Sequence, residues 1–499
     1  MGPPHLGRGR LRSIPVALAA AALTLAAPVA ALAAWPQFQG SATHEGVSEG
    51  PPVPLGVAWS NDDIPLAGPD ARGGLSAPVV ADDGTIVVVA PAAVLGFSSE
   101  DGSTVFEADR DFGPSAQPAV AGGADGPIVV FTEGYGDEPP PATTTASPTP
   151  SPSPSPSETA EGDAFDSHAD AVDLRGRPVW DEPVALDAIV QMPVAVDGDT
   201  AYVGDVDGGV TAIDVATGDV RWAIDVGSAI AGAVTPAGDR VYVAALGSQS
   251  DPGGVVALDP STGDELWRTT DEAIGTNVFS TPVVSDDAIV VLEAASVVSL
   301  DPSDGSLSWR KEIVNPLRTP PFLFQATATP APAVSDDSIY VVDVTGRAYA
   351  LDAATGEIRW DHALNDPSPV SPPVVAADDV LIATDSGTLD AIDRATGHLV
   401  WRVDATGRGS LRGLAEADDA LVAVAGTDDA QLVGFGTDAG APRLDEPSPT
   451  TFEPGRFLAG FALGALVLGA IIVMVFGPVQ RRLGPAFVPI DASDDEDRS

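Results

Sequence analysis

The sequence predicts an all-β chain: an eight-bladed β-propeller of four-stranded blades, set between an N-terminal signal peptide and one C-terminal transmembrane helix. Three observations predict it. A segment of the form Ala-Ile-Asp-x-x-Thr-Gly-x-x-x-Trp recurs, with small variations, at 212–222, 257–267, 299–309, 350–360 and 391–401. Its tryptophans are spaced at roughly 42 residues, with one interval near 50, a period that signals a propeller or solenoid. Two apolar stretches flank the repeats, one behind an arginine cluster and one ahead of an arginine pair.

Each period reads as four short strands separated by turn residues, the content of one blade. An apolar segment opens near a proline, as in Thr281-Pro282-Val283-Val284, Ala331-Pro332-Ala333-Val334 and Pro372-Pro373-Val374-Val375. An acidic turn follows at Asp286-Asp287, Asp336-Asp337 and Asp378-Asp379. A β-branched run such as Ile339-Tyr340-Val341-Val342 comes next, then a strand ending in Ala-x-Asp, then one ending at the tryptophan. The Asp-x-x-Thr-Gly segment is turn chemistry. Its Asp and Thr side chains bond nearby backbone N–H groups, and its glycine takes the positive φ of a bulged hairpin loop. The tryptophan gives each blade a flat surface to lay on its neighbour. Burying one such ring removes about 150–250 Å² from water, worth several kcal/mol at about 25 cal/mol per Å². A lone blade leaves its faces bare; a closed ring covers them and leaves only short edges.

Counting last strands gives the blade number. Trp222, Trp267, Trp309, Trp360 and Trp401 mark five. Trp180, behind the shortened turn Asp173-Leu174-Arg175-Gly176, marks another, and Phe106 one more. Trp59 has the strand Val57-Ala58-Trp59 but no repeat before it, while 432–440 has a third strand and turn with no tryptophan after it. The economical assignment uses the Trp59 strand to complete the last blade, which closes a ring of eight over residues 34–440. The competing assignment ends that blade at Leu444 and leaves Trp59 on an extra strand.

This pattern resembles the quinoprotein-like family, eight-bladed propellers built from tryptophan-docking (PQQ-type) repeats, over roughly residues 35–440. The resemblance implies the architecture and leaves the activity open, because the family holds pyrroloquinoline-quinone dehydrogenases as well as cofactor-free scaffolds. Among the scaffolds is the propeller lipoprotein of the outer-membrane barrel-assembly machinery.

The flanks predict location. Arg8, Arg10 and Arg12 precede an apolar stretch and the small residues Ala31-Leu32-Ala33, so residues 1–33 read as a secretory signal peptide. After a linker at 441–456, residues 457–477 carry no charge and are long enough to cross a bilayer. Arg481 and Arg482 follow, which puts the tail 478–499 in the cytoplasm and the propeller outside. Gly460 and Gly464 form a GxxxG pair in a segment so rich in Gly and Ala that chance accounts for it. There is no cysteine, which removes disulfides, a lipid anchor and thiolate chemistry. The net charge is −48 and Lys311 is the only lysine, so nucleic acid would be repelled. The style is that of a bacterium with a single-membrane, actinobacterial type of envelope.

Three insertions interrupt the repeat. The Pro/Ser/Thr-rich segment 139–164 enters blade 2 between its second and third strands; it cannot pack a core and is a tolerated loop or a carrier of sugars. Residues 247–254 lengthen the same connection in blade 4, and 311–329 lengthen the passage from blade 5 to blade 6. The last holds Phe322, Leu323 and Phe324, three apolar side chains that must cover the propeller's own mouth or a partner. Strand alternation puts all three insertions on one end of the ring. Arg408 and Arg412, assigned to the connection between blades 7 and 8, join them there as groups for a carboxylate or phosphate, or as neutralisers of nearby aspartates.

No residue is assigned a catalytic, cofactor-binding or metal-binding role. Many of the family's dehydrogenases carry a vicinal cysteine disulfide, a calcium set and a catalytic aspartate; this chain has no cysteine and no long pocket-building insertion. Asp214, Asp259, Asp301, Asp352 and Asp393 occupy one repeat position, which a shared turn role explains. Asp205-Val206-Asp207-Gly208 looks like a calcium loop but lacks the third ligand and the terminal glutamate. His5, His44, His168, His362 and His398 lack metal spacing, and no nucleophile elbow or P-loop occurs. The expected function is therefore a membrane-anchored, extracytoplasmic, non-catalytic scaffold that needs no cofactor and binds a protein or an envelope polymer. A quinone- and calcium-dependent redox enzyme and a transmembrane sensor are the alternatives.

Overall fold

The computed structural model describes residues 35–48, 54–134, 167–313 and 331–437, apart from short stretches within them. The signal segment 1–33, the insertion 139–164, and the linker, span and tail at 441–499 lie outside the described residues.

The strands form eight sheets. Blades 1 to 7 occupy 79–109, 119–186, 195–225, 235–268, 283–312, 333–363 and 374–404, each a four-stranded antiparallel meander, to which Val47–Ser48 adds a fifth, parallel strand at the inner edge of blade 7. Blade 8 takes three strands from 411–436 and its fourth from the beginning of the chain. Gly56–Asn61 pairs antiparallel with Gln431–Gly436, with Val57 opposite Phe435 and Trp59 opposite Gly434. The Trp59 strand therefore closes the ring, and Leu444 is not needed for it. The innermost strand of blade 1 packs against those of blades 2 and 8, which completes the circle.

Burial explains the strand composition. Second strands such as Ile128–Glu133 and Thr200–Gly204 are covered along their whole length, and their centres read as apolar runs. The outermost strands alternate: in Ile358–Ala363 only Trp360 and His362 are buried. Neighbouring blades share clusters of Val, Ile, Leu and Ala, so the core is a series of inter-blade layers.

The repeat motif makes the inter-blade joint. Six indoles lie on the turn glycine of the next blade and donate their N–H to the carbonyl one residue after that turn's first position, whereas Trp401 Nε1 is buried with no partner among the described residues. Trp180 reaches Val215 O at 2.8 Å, Trp222 Pro260 O at 2.8 Å, Trp267 Pro302 O at 3.2 Å, Trp309 Ala353 O at 2.9 Å and Trp360 Arg394 O at 2.7 Å. Trp59, in the closing strand of blade 8, docks in the same way, on Ser99 O of blade 1 at 3.1 Å. Phe106 takes the place in blade 1 and rests on Gly176. Trp401 is fully buried against blade 8, whose turn falls at the edge of the described residues. The motif's polar residues act as expected. Asp214 Oδ1 accepts from the N–H groups of Ala216 and Thr217, and the strand pairing shifts register between Ala212 and Ile213.

One repeat position differs from expectation. Trp180 docks like the others but stands in a bend ahead of its strand, Val184–Leu186. The shortened turn before it leaves only an isolated bridge, Val172 to Pro178, where a full hairpin would have formed. Two backbone bonds flank that bridge, Asp173 N–H to Arg177 O at 2.9 Å and Val179 N–H to Ala171 O at 2.8 Å, and the strand pairing resumes at Val184–Leu186.

The insertion 139–164 joins two strands that are already paired, with Glu133 opposite His168. Replacing it with a four-residue Gly/Ser turn is expected to leave the urea midpoint unchanged or to raise stability by up to about 2 kcal/mol, from the shorter loop closure. A loss would show that the segment contributes to packing.

Candidate binding face

The ring has two unlike ends. One carries the connections between first and second strands and between third and fourth strands. These are tight turns, dense in aspartate: Asp199, Asp239, Asp337 and Asp378 in the first set, Asp214, Asp259, Asp301, Asp352 and Asp393 in the second. The other end carries the connections between second and third strands and the passages between blades, which include all three insertions.

On the tight-turn end, Arg221 bridges Asp199 at 2.9 Å and Asp214 at 2.7 Å. Arg359 repeats the arrangement in blade 6 with Asp337 at 2.8 Å and Asp352 at 2.7 Å. These arginines tie the two turns of one blade together. The hydrogen bonds from Arg359 and Ser338 hold Asp337 down to about 2. Because the folded carboxylate titrates below its ordinary value of 3.8, its contribution is complete above that value and is lost as pH falls towards 2. Arg359→Gln is expected to return Asp337 to the ordinary carboxylate range, read by NMR titration. An unchanged titration would show that Ser338 and the backbone suffice.

The long-connection end contains buried charge. Arg110 is buried, donates to Ala90 O at 2.8 Å and Pro114 O at 3.1 Å, and is brought down to about 10 by burial, so it stays charged at neutral pH. Glu133 accepts from the N–H of Asp111 at 2.9 Å, and burial pushes its carboxyl up. Asp205 is not arranged for calcium. Its Oδ1 accepts from the N–H groups of Asp207, Gly208 and Gly209 at 3.0, 2.9 and 2.8 Å, which consumes that oxygen in closing the turn. Among the described residues no three His, Asp or Glu side chains converge as metal ligands.

The predicted binding residues divide. Phe322, Leu323, Phe324 and Arg408 lie outside the described residues. Arg412 does not lie in the connection between blades 7 and 8; it belongs to the first strand of blade 8, Leu411–Ala417. That strand is longer than its counterparts and contains a bulge at Gly413, whose φ is 60°. Arg412 is half-buried and donates to Gly426 O at 3.0 Å; burial pushes its guanidinium below the ordinary range, opposed by Asp385. It braces the adjacent connection and does not stand open to a ligand.

The structure also reveals a feature with no signal in the repeat. Residues 35–48 run once around the axis of the ring and touch every blade. One register position on the innermost strands, facing the axis, is occupied by Val80, Val120, Val196, Pro236, Val284, Val334, Val375 and Glu416 in blade order. The N–H groups of Val80, Val120, Val284, Val334 and Val375 donate to the carbonyls of Trp35, Pro36, Thr43, Glu45 and Gly46 at 2.7–3.0 Å. Val196 N–H donates to Gln37 Oε1 at 2.8 Å, and Gln37 Nε2 donates back to Val196 O at 2.9 Å. Pro236 has no N–H; in that blade His44 Nε2 lies 3.1 Å from Val234 O instead. Ser48 Oγ donates to Glu416 in blade 8 at 2.7 Å. The inner edges of the sheets, which would otherwise be unpaired, are thus satisfied. His44 is fully buried, and burial pushes its imidazole below the ordinary range, opposed by the backbone carbonyls of Val234 and Phe38.

Eight blades, six of them locked to the next by an indole on its turn glycine, define a tryptophan-docking eight-bladed propeller. The profile of the family described as outer membrane protein assembly factor BamB matches residues 166–331 and 317–456, more than half of the sequence. The chain belongs to that family. Among solved structures it is similar to BamB from Moraxella catarrhalis, at 16% identity and a TM-score of 0.53 over 77% of this chain and 99% of that one. It is similar also to the quinohemoprotein alcohol dehydrogenase from Comamonas testosteroni, at 15% identity and 0.59 over 85% and 84%. The computationally designed Ika8 protein matches at 15% and 0.55 over 76% and 99%. Identities this low speak for the fold alone. The serine/threonine-protein kinase AfsK of Streptomyces griseus is 32% identical over 98 residues, 20% of this chain and 11% of the kinase. The matched segment thus spans about a tenth of that curated relative.

Proposed function

We infer that the chain is a membrane-anchored, extracytoplasmic, non-catalytic scaffold that binds a protein or an envelope polymer on its long-connection end. The observation that carries this reading is the confinement of every insertion to one end of a ring whose axis is already filled by residues 35–48. Membership of the BamB family supports scaffold work in general terms. The apolar segment 457–477 supplies the anchor in this reading; among the described residues no helix is long and apolar enough to cross a membrane. Photo-crosslinking amino acids at Asp207 and Asp385, exposed on the long-connection end, and at Ala216 and Ala354, exposed on the tight-turn end, test it in intact cells. Partner bands are expected from the first pair only. Equal yields from both ends would sink the assignment.

A second reading is a transmembrane sensor. The 98-residue match to a kinase supports it, since related sequence occurs within a signalling protein. The redox alternative rests on fold likeness; purified ectodomain given pyrroloquinoline quinone and calcium would have to take up the quinone stoichiometrically and oxidise an alcohol or sugar.

A further inference from the structure

We propose that the axis of the ring is a binding site for a peptide that turns back on itself, and that residues 35–48, which include the 3-10 turn Phe38–Gly40, are its ligand, tethered in cis. Three features separate this segment from the ring that holds it. First, the ring closes without it. The seam is made by Gly56–Asn61 on Gln431–Gly436, and the joints are made by the indoles. Second, the contacts are those of a receptor with a peptide. The blades offer backbone N–H groups at one repeated register, and the segment supplies its own carbonyls and the Gln37 carboxamide. Main-chain bonds of this kind provide affinity in strand-addition complexes, while side-chain pockets provide selectivity. Here Trp35, 2% exposed, and Gln39, which donates to Pro332 O at 2.8 Å, fill such pockets.

Third, the segment is held under strain. Gln39 and His44 adopt φ of 51° and 59°, two of the three non-glycine residues with positive φ among the described residues. Gln39 Oε1 is buried with no partner among the described residues. A core element selected only to hold the ring together has no need of these costs. A bound peptide that must turn back on itself to meet eight inward-facing edges incurs them, and they make it exchangeable. The ligand class follows: a turn-containing peptide with an aromatic first residue and carboxamides two and four positions later.

The experiment uses the full chain with a protease site placed at 49–53. After the cut, native mass spectrometry should find the released segment still bound. A fluorescently labelled synthetic peptide with the sequence of residues 35–48 should exchange in at one per ring, read by anisotropy. A peptide with Gln37→Ala and Gln39→Ala should bind roughly tenfold or more weakly, the loss expected when their hydrogen bonds go. A ring that unfolds on cutting, takes up no peptide, or takes up a scrambled peptide equally well would overturn the proposal. Hydrogen exchange on the uncut chain gives an independent reading. The amides of Val120, Val284, Val334 and Val375 should open together and well before those of the second strands. Uniform protection would mark the segment as core. These outcomes are independent of cross-linking at the long-connection end.

Discussion

Trp401→Ala is expected to destabilise the ring by about 3–5 kcal/mol, the usual cost of truncating a fully buried large aromatic. Trp401 is 0% exposed and belongs to the cluster that joins blades 1, 7 and 8. Removing it leaves a cavity beside the seam, where Gly56–Asn61 pairs with the last described strand. The loss should appear in the urea midpoint with an unchanged denaturant slope. It should exceed that of Trp309→Ala, because Trp309 is only partly buried in its cluster. A loss below about 1 kcal/mol would mean that the blades are held chiefly by their strands, and that the indole is decoration.

Gly397→Ala is the second large effect. Its backbone sits at φ 71°, and an added Cβ would meet Trp360 Cδ2 at 2.6 Å and Cγ at 2.7 Å. Two costs therefore combine: about 1–2 kcal/mol for a left-handed non-glycine residue, and about 1–3 kcal/mol for displacing a docked ring. Gly198→Ala separates them. Gly198 also has positive φ, 59°, but nothing lies within 4 Å of its added Cβ. Only the conformational cost is expected there, so Gly397→Ala should be the more harmful by about 1–3 kcal/mol. Equal losses would mean that the indole slides aside freely.

The architecture was legible because a single joint is used again and again. An Asp, a Gly and a Trp at fixed spacing announce the turn, the approach and the dock, and Trp59 fits only one place among them. The glycine was legible for half of its role. The sequence shows that a turn needs it; only the structure shows the neighbour's indole resting on it. Arg412 was misplaced for a physical reason. The first strand of blade 8 absorbs a bulge at Gly413, so its beginning looks like loop. The axial segment left no trace because its partners are backbone N–H groups. Val120 and Val284 would be valines whether or not anything bound beside them. Pro236 is the exception: the one blade without that donor is the one reached by His44.

The seam has a consequence for the order of events in folding. Its two halves, Gly56–Asn61 and Gln431–Gly436, come from opposite ends of the described chain. The early half emerges from the ribosome with nothing to pair to, and must wait until Gln431–Gly436 has been made. Contacts between such distant segments carry a high entropic cost and form late. Throughout synthesis the nascent toroid is an open arc with two unzipped edges. A helper that shields those edges until the final hairpin arrives would serve this chain better than one that hastens any single blade.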